Sequence, residues 1–320
     1  RFSSNNRSST KASKPTDDTP RSEHYSMISS RILGIGHYLP PKVVTNFDLM
    51  EVMETSNEFI VERTGVHRRR YAEPGQSASD LAAIACRAAV ADAGLTMDQI
   101  DLVVMNTITP DHADPGCAFF LQSQLELGDV PALDIRTQCA GLIYGLAIAD
   151  KFVASGQYRH VLVACSEVLS KRIDGSYDGR NIAILLGDGA GAVVVGRAEE
   201  GKAGILSTIL HSEGANAKVL YTAAPGSALG RSDMINTEDI EAGRVHFRMR
   251  GREMFENGVR RISEAIYESL EKNALTLDDI DVIIPHQPNL RMLEAILDKA
   301  KLPPEKLFLN VQEYGNMASA

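Results

Sequence analysis

From Arg31 onward, short apolar runs alternate with stretches whose apolar side chains recur at helical spacing. The apolar runs have the length and continuity of strands that are buried on both faces. Strands that alternate with helices predict an α/β fold built on a doubly covered sheet. The predicted strands are 31–36, 102–105, 160–164 and 190–195, and the predicted helices are 79–93, 119–125, 141–155 and 254–272.

A ten-residue pattern occurs twice in the chain. Residues 95–104 (LTMDQIDLVV) return as LTLDDIDVII at 275–284, an offset of 180 positions. A shorter echo relates 132–135 to 308–311, at an offset of 176 positions. Two matches in the same order predict a duplicated βαβ unit and therefore two fused halves.

The duplication predicts a first half over 29–200 and a second half over 201–320. Residues 1–28 are rich in Ser, Asn, Thr, Arg and Lys and nearly lack aliphatic side chains. Such a segment cannot bury enough surface to offset its ordering entropy, so we expect a disordered tail there. Its Arg and Ser content also fits part of an organelle transit peptide, although its acidic residues argue against that alternative.

Composition narrows the function classes. Of the 320 residues, 44% are apolar and 23% are charged, an ordinary globular balance. The net charge of −9 disfavours a nucleic-acid binder, which would carry a basic face. An acidic carrier protein could still dock on a local basic patch. No stretch reaches the roughly 18 apolar residues of a membrane span, so we expect no membrane span.

Four cysteines are too few for a disulfide scaffold in a chain of this length. None has zinc-ligand spacing, so we expect no metal and a reducing compartment. The cytoplasm is the expected location, with import into a plastid or another organelle as the less favoured alternative. Cys86 and Cys165 lie in apolar surroundings and are interpreted as core, whereas Cys117 and Cys139 each precede a helix.

Cys139 follows a predicted strand and directly precedes the predicted helix that begins at Gly141. A cysteine at a helix N-terminus faces unpaired N–H groups and the positive end of the helix dipole. Both features stabilise a thiolate, the reactive form of the side chain. The alternative is a small buried apolar residue, but the strand–cysteine–glycine–helix setting favours a nucleophile.

His286 follows the second copy of the repeated strand, at the position that corresponds to Asn106 in the first copy. Asn316 lies in a Gly-Asn pair, and its equivalent in the duplication is close to Cys139. Sites in open α/β sheets form at the carboxyl ends of strands, so these side chains are candidate catalytic residues. A structural histidine and a plain turn are the alternatives. A papain-like protease is less favoured, because such proteins lack this duplicated sheet pattern.

The glycine-rich run 187–191 could be mistaken for a phosphate-binding loop. It lacks the Lys-Ser/Thr pair of such loops and precedes a strand instead of a helix. We therefore predict close backbone packing at this run.

Five segments together resemble the motifs of the β-ketoacyl-acyl carrier protein synthase III family, condensing enzymes of the thiolase superfamily. The resemblance extends from Arg31 to the last residue. It implies a thiolase-like duplicated α/β/α/β/α layered fold with two mixed sheets, and it implies a homodimer. The segments are 55–66 (TSNEFIVERTGV), 134–142 (DIRTQCAGL), 187–192 (GDGAGA), 286–291 (HQPNLR) and 314–316 (YGN).

The resemblance also implies a mechanism. Cys139 would take an acyl group from coenzyme A as a thioester. His286 and Asn316 would donate hydrogen bonds to the thioester oxygen of malonyl-acyl carrier protein as it loses CO2 and becomes an enolate. The carbanion would then attack the acyl-Cys139 carbonyl and yield a β-ketoacyl-acyl carrier protein in the initiation of fatty-acid biosynthesis. No cofactor is implied, since acyl-CoA and malonyl-acyl carrier protein are substrates.

Binding residues follow from the same resemblance. Phe59, Arg63 and Arg180 would bind coenzyme A, with the adenine between Phe59 and Arg180, and the family usually has tryptophan in place of Phe59. Gly251 and Phe255 would line the pantetheine tunnel, with plain core as the alternative for Phe255.

The resemblance also implies that the acyl carrier protein docks at two arginines. These are Arg291 and Arg252, on a patch that Arg248, Arg250, Arg260 and Arg261 could widen. A solvated charged face is the alternative.

Asp114 departs from the family pattern, which often has an apolar residue there to cap the acyl pocket of the partner subunit. A carboxylate at this place is similar to the long-chain condensing enzymes of bacterial olefin synthesis. Non-decarboxylative condensation or acyl transfer on longer chains in secondary metabolism therefore stays open, as does a carrier-binding scaffold without catalysis. The family continues for some tens of residues beyond Ala320, so we expect the C-terminal part to be incomplete.

Overall fold

The computed structural model describes residues 29–200 and 204–320, so the predicted tail over 1–28 lies outside the described residues. The strands are β1 (Ser30–Tyr38), β2 (Lys42–Thr45), β3 (Arg68–Tyr71), β4 (Leu102–Asn106), β5 (Ala132–Ile135), β6 (His160–Glu167), β7 (Gly189–Arg197), β8 (Leu220–Tyr221) and β9 (Arg248–Met249). The helices are α1 (Asn46–Met50), α2 (Asn57–Thr64), α3 (Ala78–Asp92), α4 (Cys117–Gln124), α5 (Gly141–Ala154), α6 (Arg180–Ala183), α7 (Thr237–Glu241), α8 (Gly251–Lys272), α9 (Leu290–Ala300) and α10 (Val311–Tyr314).

The main sheet is mixed and has five strands in the order β1-β7-β6-β4-β5. β4 pairs in parallel with β5 and β6, whereas β7 runs antiparallel to β1 and β6. Every side chain of β4 is buried, which explains why its sequence lacks the alternation of a half-exposed strand. The four predicted strands and the four predicted helices are confirmed with small changes in their ends.

Alternate side chains of the central strands enter two separate cores. Val103 and Met105 pack with α3 and α4 on one face of the sheet. Leu102 and Val104 pack with α5 on the other face. Helices on both faces of a mixed sheet confirm the predicted fold class, and the carboxyl ends of β4, β5 and β6 are left free to carry a site.

The repeated ten-residue pattern forms the same local structure in both halves. Thr96 makes a capping box with Gln99 at the start of a short 3-10 turn. Thr276 makes the equivalent box with Asp279 in the second half. In each copy a threonine and the polar residue three positions later satisfy backbone groups reciprocally, so the shared letters have a structural reason.

The strand that follows each box also pairs in the same way. Val103 donates a hydrogen bond to the carbonyl of Pro131 at 3.0 Å, and Ile283 donates one to the carbonyl of Lys306 at 2.7 Å. The structure therefore makes Pro131 equivalent to Lys306, one residue earlier than the match of 132–135 with 308–311 implies. Within the described residues the second half has one parallel bridge between Ile283 and Leu307 and a short antiparallel pair, β8 with β9, so the second predicted sheet is only outlined there.

The core of the second half lies between α8 and α9. Leu293 and Ile296 of α9 are fully buried against Val259 of α8. Val66, from the first half, enters the same core. The two halves therefore share apolar packing next to the loop that carries His286.

Candidate active site

Cys139 lies in a single 3-10 turn, Gln138–Ala140, between β5 and α5. Gln138 has a φ of 49°, in the left-handed region that a side chain with a Cβ adopts at a cost of roughly 1–2 kcal/mol. The Cys139 side chain is half-buried and free of any disulfide. The predicted placement at the start of a helix is confirmed, and a strained turn delivers the thiol there.

The Cys139 thiol is protonated in the resting site. Burial raises its pKa to about 12, and the charge of Glu167 adds to the rise. A backbone hydrogen bond at Cys139 itself acts in the opposite direction and is the smaller effect. The N-terminus of α5 is predicted to favour the thiolate, but burial and the charge of Glu167 favour the neutral thiol in the resting site.

Asn106, fully buried at the end of β4, holds the turn that carries the thiol. Its Oδ1 accepts a hydrogen bond from the N–H of Thr137 at 3.0 Å. Its Nδ2 donates to the carbonyl of Gln138 at 3.3 Å and to the hydroxyl of Ser319 at 2.8 Å. Gly141 leaves room for this amide, since a Cβ there would lie 2.2 Å from the Cγ of Asn106.

His286 lies in the loop between the Ile283 bridge and α9. Gln287 fastens this loop, because its Nε2 donates to the carbonyl of Phe308 at 3.0 Å and its Oε1 accepts from the N–H of Asn310 at 3.0 Å. Burial lowers the pKa of His286 to about 4, and a hydrogen bond that the protonated ring donates to the backbone of Ala318 opposes this in part. The imidazole is therefore neutral near pH 7 and has one N–H to donate.

Asn316 lies where the last described segment meets the main sheet. Its N–H donates to the carbonyl of Leu185 at 2.7 Å, and its carbonyl accepts from the N–H of Gly187 at 3.1 Å. A Cβ at Gly187 would lie 2.3 Å from the carbonyl oxygen of Tyr314. The predicted close backbone packing at the glycine-rich run is therefore confirmed, and Asn316 is what it packs against.

Residues 316–319 connect His286 to the turn that carries Cys139. The backbone of Ala318 contacts the ring of His286. The hydroxyl of Ser319 accepts a hydrogen bond from Asn106, and Asn106 holds the Cys139 turn. The structure thus connects two strand ends of the first half to the histidine loop of the second half.

Glu167, at the end of β6, is a site residue that the sequence did not predict. It is fully buried, and burial raises its pKa to about 7. Its Oε1 accepts from the hydroxyl of Ser319 at 3.1 Å, and its Oε2 accepts from the N–H of Ile108 and the hydroxyl of Thr109, each at 3.1 Å. The sequence did contain a signal for it: Glu167 is a charged residue at the end of an apolar strand, as Asn106 is a polar residue at the end of β4.

Phe59, Arg63 and Arg180 lie together at the surface. The guanidinium carbons of Arg63 and Arg180 lie 5.3 Å and 5.0 Å from the centroid of the Phe59 ring. Tyr177, which the sequence did not single out, places its ring centroid 3.9 Å from the guanidinium of Arg180. A planar base between Phe59 and Arg180 needs about 7 Å, since each stacked contact takes about 3.5 Å. Arg180 must therefore move outward before a base can enter.

Gly251 and Phe255 lie in the first turns of α8, and Arg291 lies in the first turn of α9. Phe255 is 36% exposed, so its interpretation as plain core is wrong. Arg252 pairs with Glu256 at 2.8 Å, whereas Arg291 is exposed and pairs with no carboxylate among the described residues. The other predicted patch residues that pair with glutamates are Arg250, Arg260 and Arg261.

Asp114 lies on an exposed loop between β4 and α4. Across the described ranges it shares no hydrogen bond or ion pair with Cys139, His286 or Asn316.

Two negative findings hold for residues 29–200 and 204–320. No group of three or more His, Cys, Asp or Glu side chains there could hold a metal ion. No helix in that part of the chain is both long enough and apolar enough to cross a bilayer.

Two family models match the chain. Residues 133–214 match the model described as 3-oxoacyl-[acyl-carrier-protein (ACP)] synthase III. Residues 270–320 match the model of the C-terminal part of the same enzymes. The first range contains Cys139, and the second contains His286 and Asn316.

Curated relatives and solved structures agree with the family models. A β-ketoacyl-[acyl-carrier-protein] synthase III of Caldanaerobacter subterraneus subsp. tengcongensis is 44% identical over 293 residues, which cover 92% of this chain and 86% of that protein. The protein of the same name from Ehrlichia chaffeensis is 40% identical over 294 residues, with coverages of 92% and 88%. The crystal structure of 3-oxoacyl-[acyl-carrier-protein] synthase III from Aquifex aeolicus matches with a TM-score of 0.81 at 38% identity, covering 91% of this chain and 87% of that one.

Proposed function

The chain belongs to the β-ketoacyl-[acyl-carrier-protein] synthase III family of condensing acyltransferases, and from this premise we propose how its own residues perform the reaction. The substrates are an acyl-CoA and malonyl-acyl carrier protein, and the product is a β-ketoacyl-acyl carrier protein that begins a fatty-acid chain. The observation that carries the proposal is the link that residues 316–319 make between His286 and the Cys139 turn. The bacterial relatives support a cytoplasmic location.

Acyl transfer to Cys139 is the first step. The sulfur attacks the thioester carbonyl of acyl-CoA, its bond to the carbonyl carbon forms, and the bond to the coenzyme A sulfur breaks. Because the pKa of Cys139 is about 12, its proton leaves as the new bond forms and ends on the departing coenzyme A thiolate. Backbone N–H groups at the start of α5 are the donors closest in sequence for the tetrahedral oxyanion.

Decarboxylative condensation is the second step. Malonyl-acyl carrier protein loses CO2, and His286 and Asn316 donate hydrogen bonds to the thioester oxygen that becomes an enolate. A neutral imidazole suits this task, and a pKa of about 4 keeps His286 neutral at working pH. The enolate carbon then attacks the acyl-Cys139 carbonyl, and the released thiolate takes up one proton.

Coenzyme A binding is assigned to Phe59, Arg63 and Arg180. Their mutual contact supports a site in which the adenine parts Phe59 from Arg180. Exposure of Phe255 supports its place on the pantetheine path next to Gly251.

Carrier docking is assigned to Arg291 first and to Arg252 second. The guanidinium of Arg291, which pairs with no carboxylate in the described part of the chain, attracts an acidic carrier protein, whereas Glu256 already neutralises Arg252.

A homodimer is supported by the apolar edge of the main sheet. β5 is the edge strand, Leu133 on it is 39% exposed, and Phe119 of α4 and Ile143 of α5 are exposed as well. An edge strand with apolar neighbours is suited to pairing with a second copy. Such a dimer would be the setting in which the loop of Asp114 reaches the acyl pocket of the partner.

Trapping of the acyl-enzyme tests the proposal. The protein is incubated with a panel of acyl-CoA thioesters and its intact mass is measured, with Cys139→Ala as the test variant and Cys86→Ala as the matched control. Cys86 is fully buried in the middle of α3, and its loss should leave the adduct unchanged. An equal adduct on Cys139→Ala, or none on the unmodified chain, contradicts the nucleophile assignment.

A further inference from the structure

Glu167 carries a carboxylate that is fully buried yet surrounded by donors. Ile108, Thr109 and Thr107, which follow β4, donate to its Oε2 at 3.1, 3.1 and 3.4 Å. Ser319, which belongs to the second half, donates to its Oε1 at 3.1 Å. Buried carboxylates persist where several donors satisfy them, so this group is a built feature that joins the two halves.

A continuous hydrogen-bond path runs from this carboxylate to the nucleophile turn. The hydroxyl of Ser319 donates to Glu167 and accepts from Nδ2 of Asn106 at 2.8 Å. The same amide holds the N–H of Thr137 at 3.0 Å and the carbonyl of Gln138 at 3.3 Å. Gln138 is the residue with the left-handed backbone, so the path ends where the turn needs support.

We propose that Glu167 is a positioning residue of the condensation: through Ser319 and Asn106 it fixes the Cys139 turn of the first half against the Asn316 segment of the second half. Glu167 acts on the reacting atoms through these neighbours and does not contact substrate. The inference rests on the proposed function and deepens it, because it assigns a role to a fully buried carboxylate next to the candidate catalytic residues.

The charge of Glu167 gives the proposal a second readout. The titratable and charged groups that face this carboxylate are the thiols of Cys139 and Cys165 and the guanidinium of Arg172. Arg136 precedes the Cys139 turn in the chain, and its positive charge lowers the pKa of Arg172. Ionised Glu167 raises the pKa of the Cys139 thiol, so loss of the charge should make the thiol react at lower pH.

Two substitutions separate position from charge. Glu167→Gln keeps the length of the side chain, and its amide nitrogen can donate to the Ser319 oxygen while its oxygen accepts from the residues after β4. Glu167→Asp keeps the charge but is shorter by one methylene, so it cannot reach both Ser319 and the residues after β4. We expect Glu167→Asp to lower kcat for condensation by about 10- to 100-fold, since a displacement of about 1 Å has that scale of effect. KM for acyl-CoA should stay within about twofold.

The matched control is Asp150→Asn at the far end of α5. Asp150 is also buried and also accepts a hydrogen bond from a serine hydroxyl, that of Ser30 at 2.6 Å. Asp150→Asn therefore shows how much the loss of a buried carboxylate outside the site affects the stability of the fold. It should leave kcat and the pH profile of thiol alkylation unchanged within about twofold, because it lies about three helical turns from Cys139.

The experiment measures iodoacetamide alkylation of Cys139 from pH 6 to 10 and single-turnover condensation for each variant of the full chain. The proposal expects faster alkylation at pH 8 in Glu167→Gln, by about twofold or more, and slower condensation in Glu167→Asp with a normal alkylation profile. It is overturned if both variants match Asp150→Asn in the two assays. Failure of the wild type to form any acyl-enzyme would instead refute the proposed function, so the two failures are distinct.

Discussion

Replacement of Gly141 by alanine tests whether Asn106 holds the nucleophile turn. A Cβ at position 141 would lie 2.2 Å from both Cγ and Nδ2 of Asn106, far inside van der Waals contact. Asn106 is fully buried between the Cys139 turn and Ser319, so it cannot move without losing a partner. The backbone of Gly141 is itself ordinary right-handed helix, and any change therefore comes from contact alone.

The magnitude follows from the contacts. Overpacking of a well-filled site costs about 1–3 kcal/mol, and each buried hydrogen bond that Asn106 loses adds about 1 kcal/mol. The better helix propensity of alanine returns at most about 1 kcal/mol. We expect a net loss of stability of about 1–3 kcal/mol and a fall in kcat of about 10- to 100-fold, because the thiol is displaced by a fraction of an ångström to about 1 Å.

Gly145→Ala, on the same helix, is the control. A Cβ there would lie 2.4 Å from a methyl of Val163, so it overpacks the core without contacting Asn106. Chemical denaturation gives stability, and steady-state condensation assays give kcat. Gly145→Ala should lose comparable stability but keep kcat within about twofold, since its strain falls outside the site.

The double variant Asn106→Ala/Gly141→Ala completes the test. It removes the two 2.2 Å contacts and leaves an approach of 2.8 Å to the Cβ of residue 106. Gly141→Ala should then add less than about threefold to the loss that Asn106→Ala causes alone. The reasoning is refuted if Gly141→Ala behaves like Gly145→Ala in both assays.

Three further predictions concern binding and pH. Phe59→Trp should lower KM for acyl-CoA by about two- to fivefold through its larger stacking surface, and Phe59→Ala should raise it by a similar factor, as steady-state kinetics would measure. Arg291→Glu should raise KM for the malonyl carrier protein by about tenfold at low salt, and Arg252→Glu by less, because Glu256 already pairs with Arg252; equal effects would contradict this order. Burial raises the pKa of Glu167 from 4.5 to about 7, so the folded state binds the extra proton and wild-type stability falls as pH rises from 4.5 to 7. Burial lowers the pKa of His286 from 6.5 to about 4, so the contribution of His286 to the stability of the fold rises from pH 4 to 6.5. This contribution is the same in wild type and in Glu167→Gln. The melting temperature of Glu167→Gln minus that of wild type should therefore rise from pH 4.5 to 7, and a flat difference would contradict the assigned pKa of Glu167.

The sequence could predict the features that depend on regular patterns. The continuous apolar run of β4 predicted a strand buried on both faces. The repeat at 275–284 gave His286 the position that corresponds to Asn106 in the first copy. Strand-end logic then joined Cys139, His286 and Asn316, because parallel strands end at one edge of a sheet. The prediction of β4 is confirmed because backbone periodicity and side-chain burial determine it together, whereas the joint site of the three side chains stays a prediction.

The remaining features depend on three-dimensional environment and could not be predicted. The N-terminus of α5 suggested an ionised thiol, but the pKa of Cys139 follows from desolvation and from Glu167, which is distant in the chain. Glu167 itself ends an apolar strand and gave no sign of the donors from Ile108 and Ser319. The one-residue shift of the second repeat follows from hydrogen-bond register, which the letters do not record.

Carbon dioxide release from a preformed acyl-enzyme tests the central claim most directly. The acyl-enzyme is isolated and mixed with malonyl carrier protein that is labelled at the free carboxyl, and released label is compared with loss of the acyl mass from Cys139. We predict one labelled CO2 for each acyl group consumed, and for His286→Ala a stable acyl-enzyme with release slowed by about 100-fold or more. Consumption of the acyl group without CO2, or unchanged release in His286→Ala, would contradict decarboxylative condensation at this site.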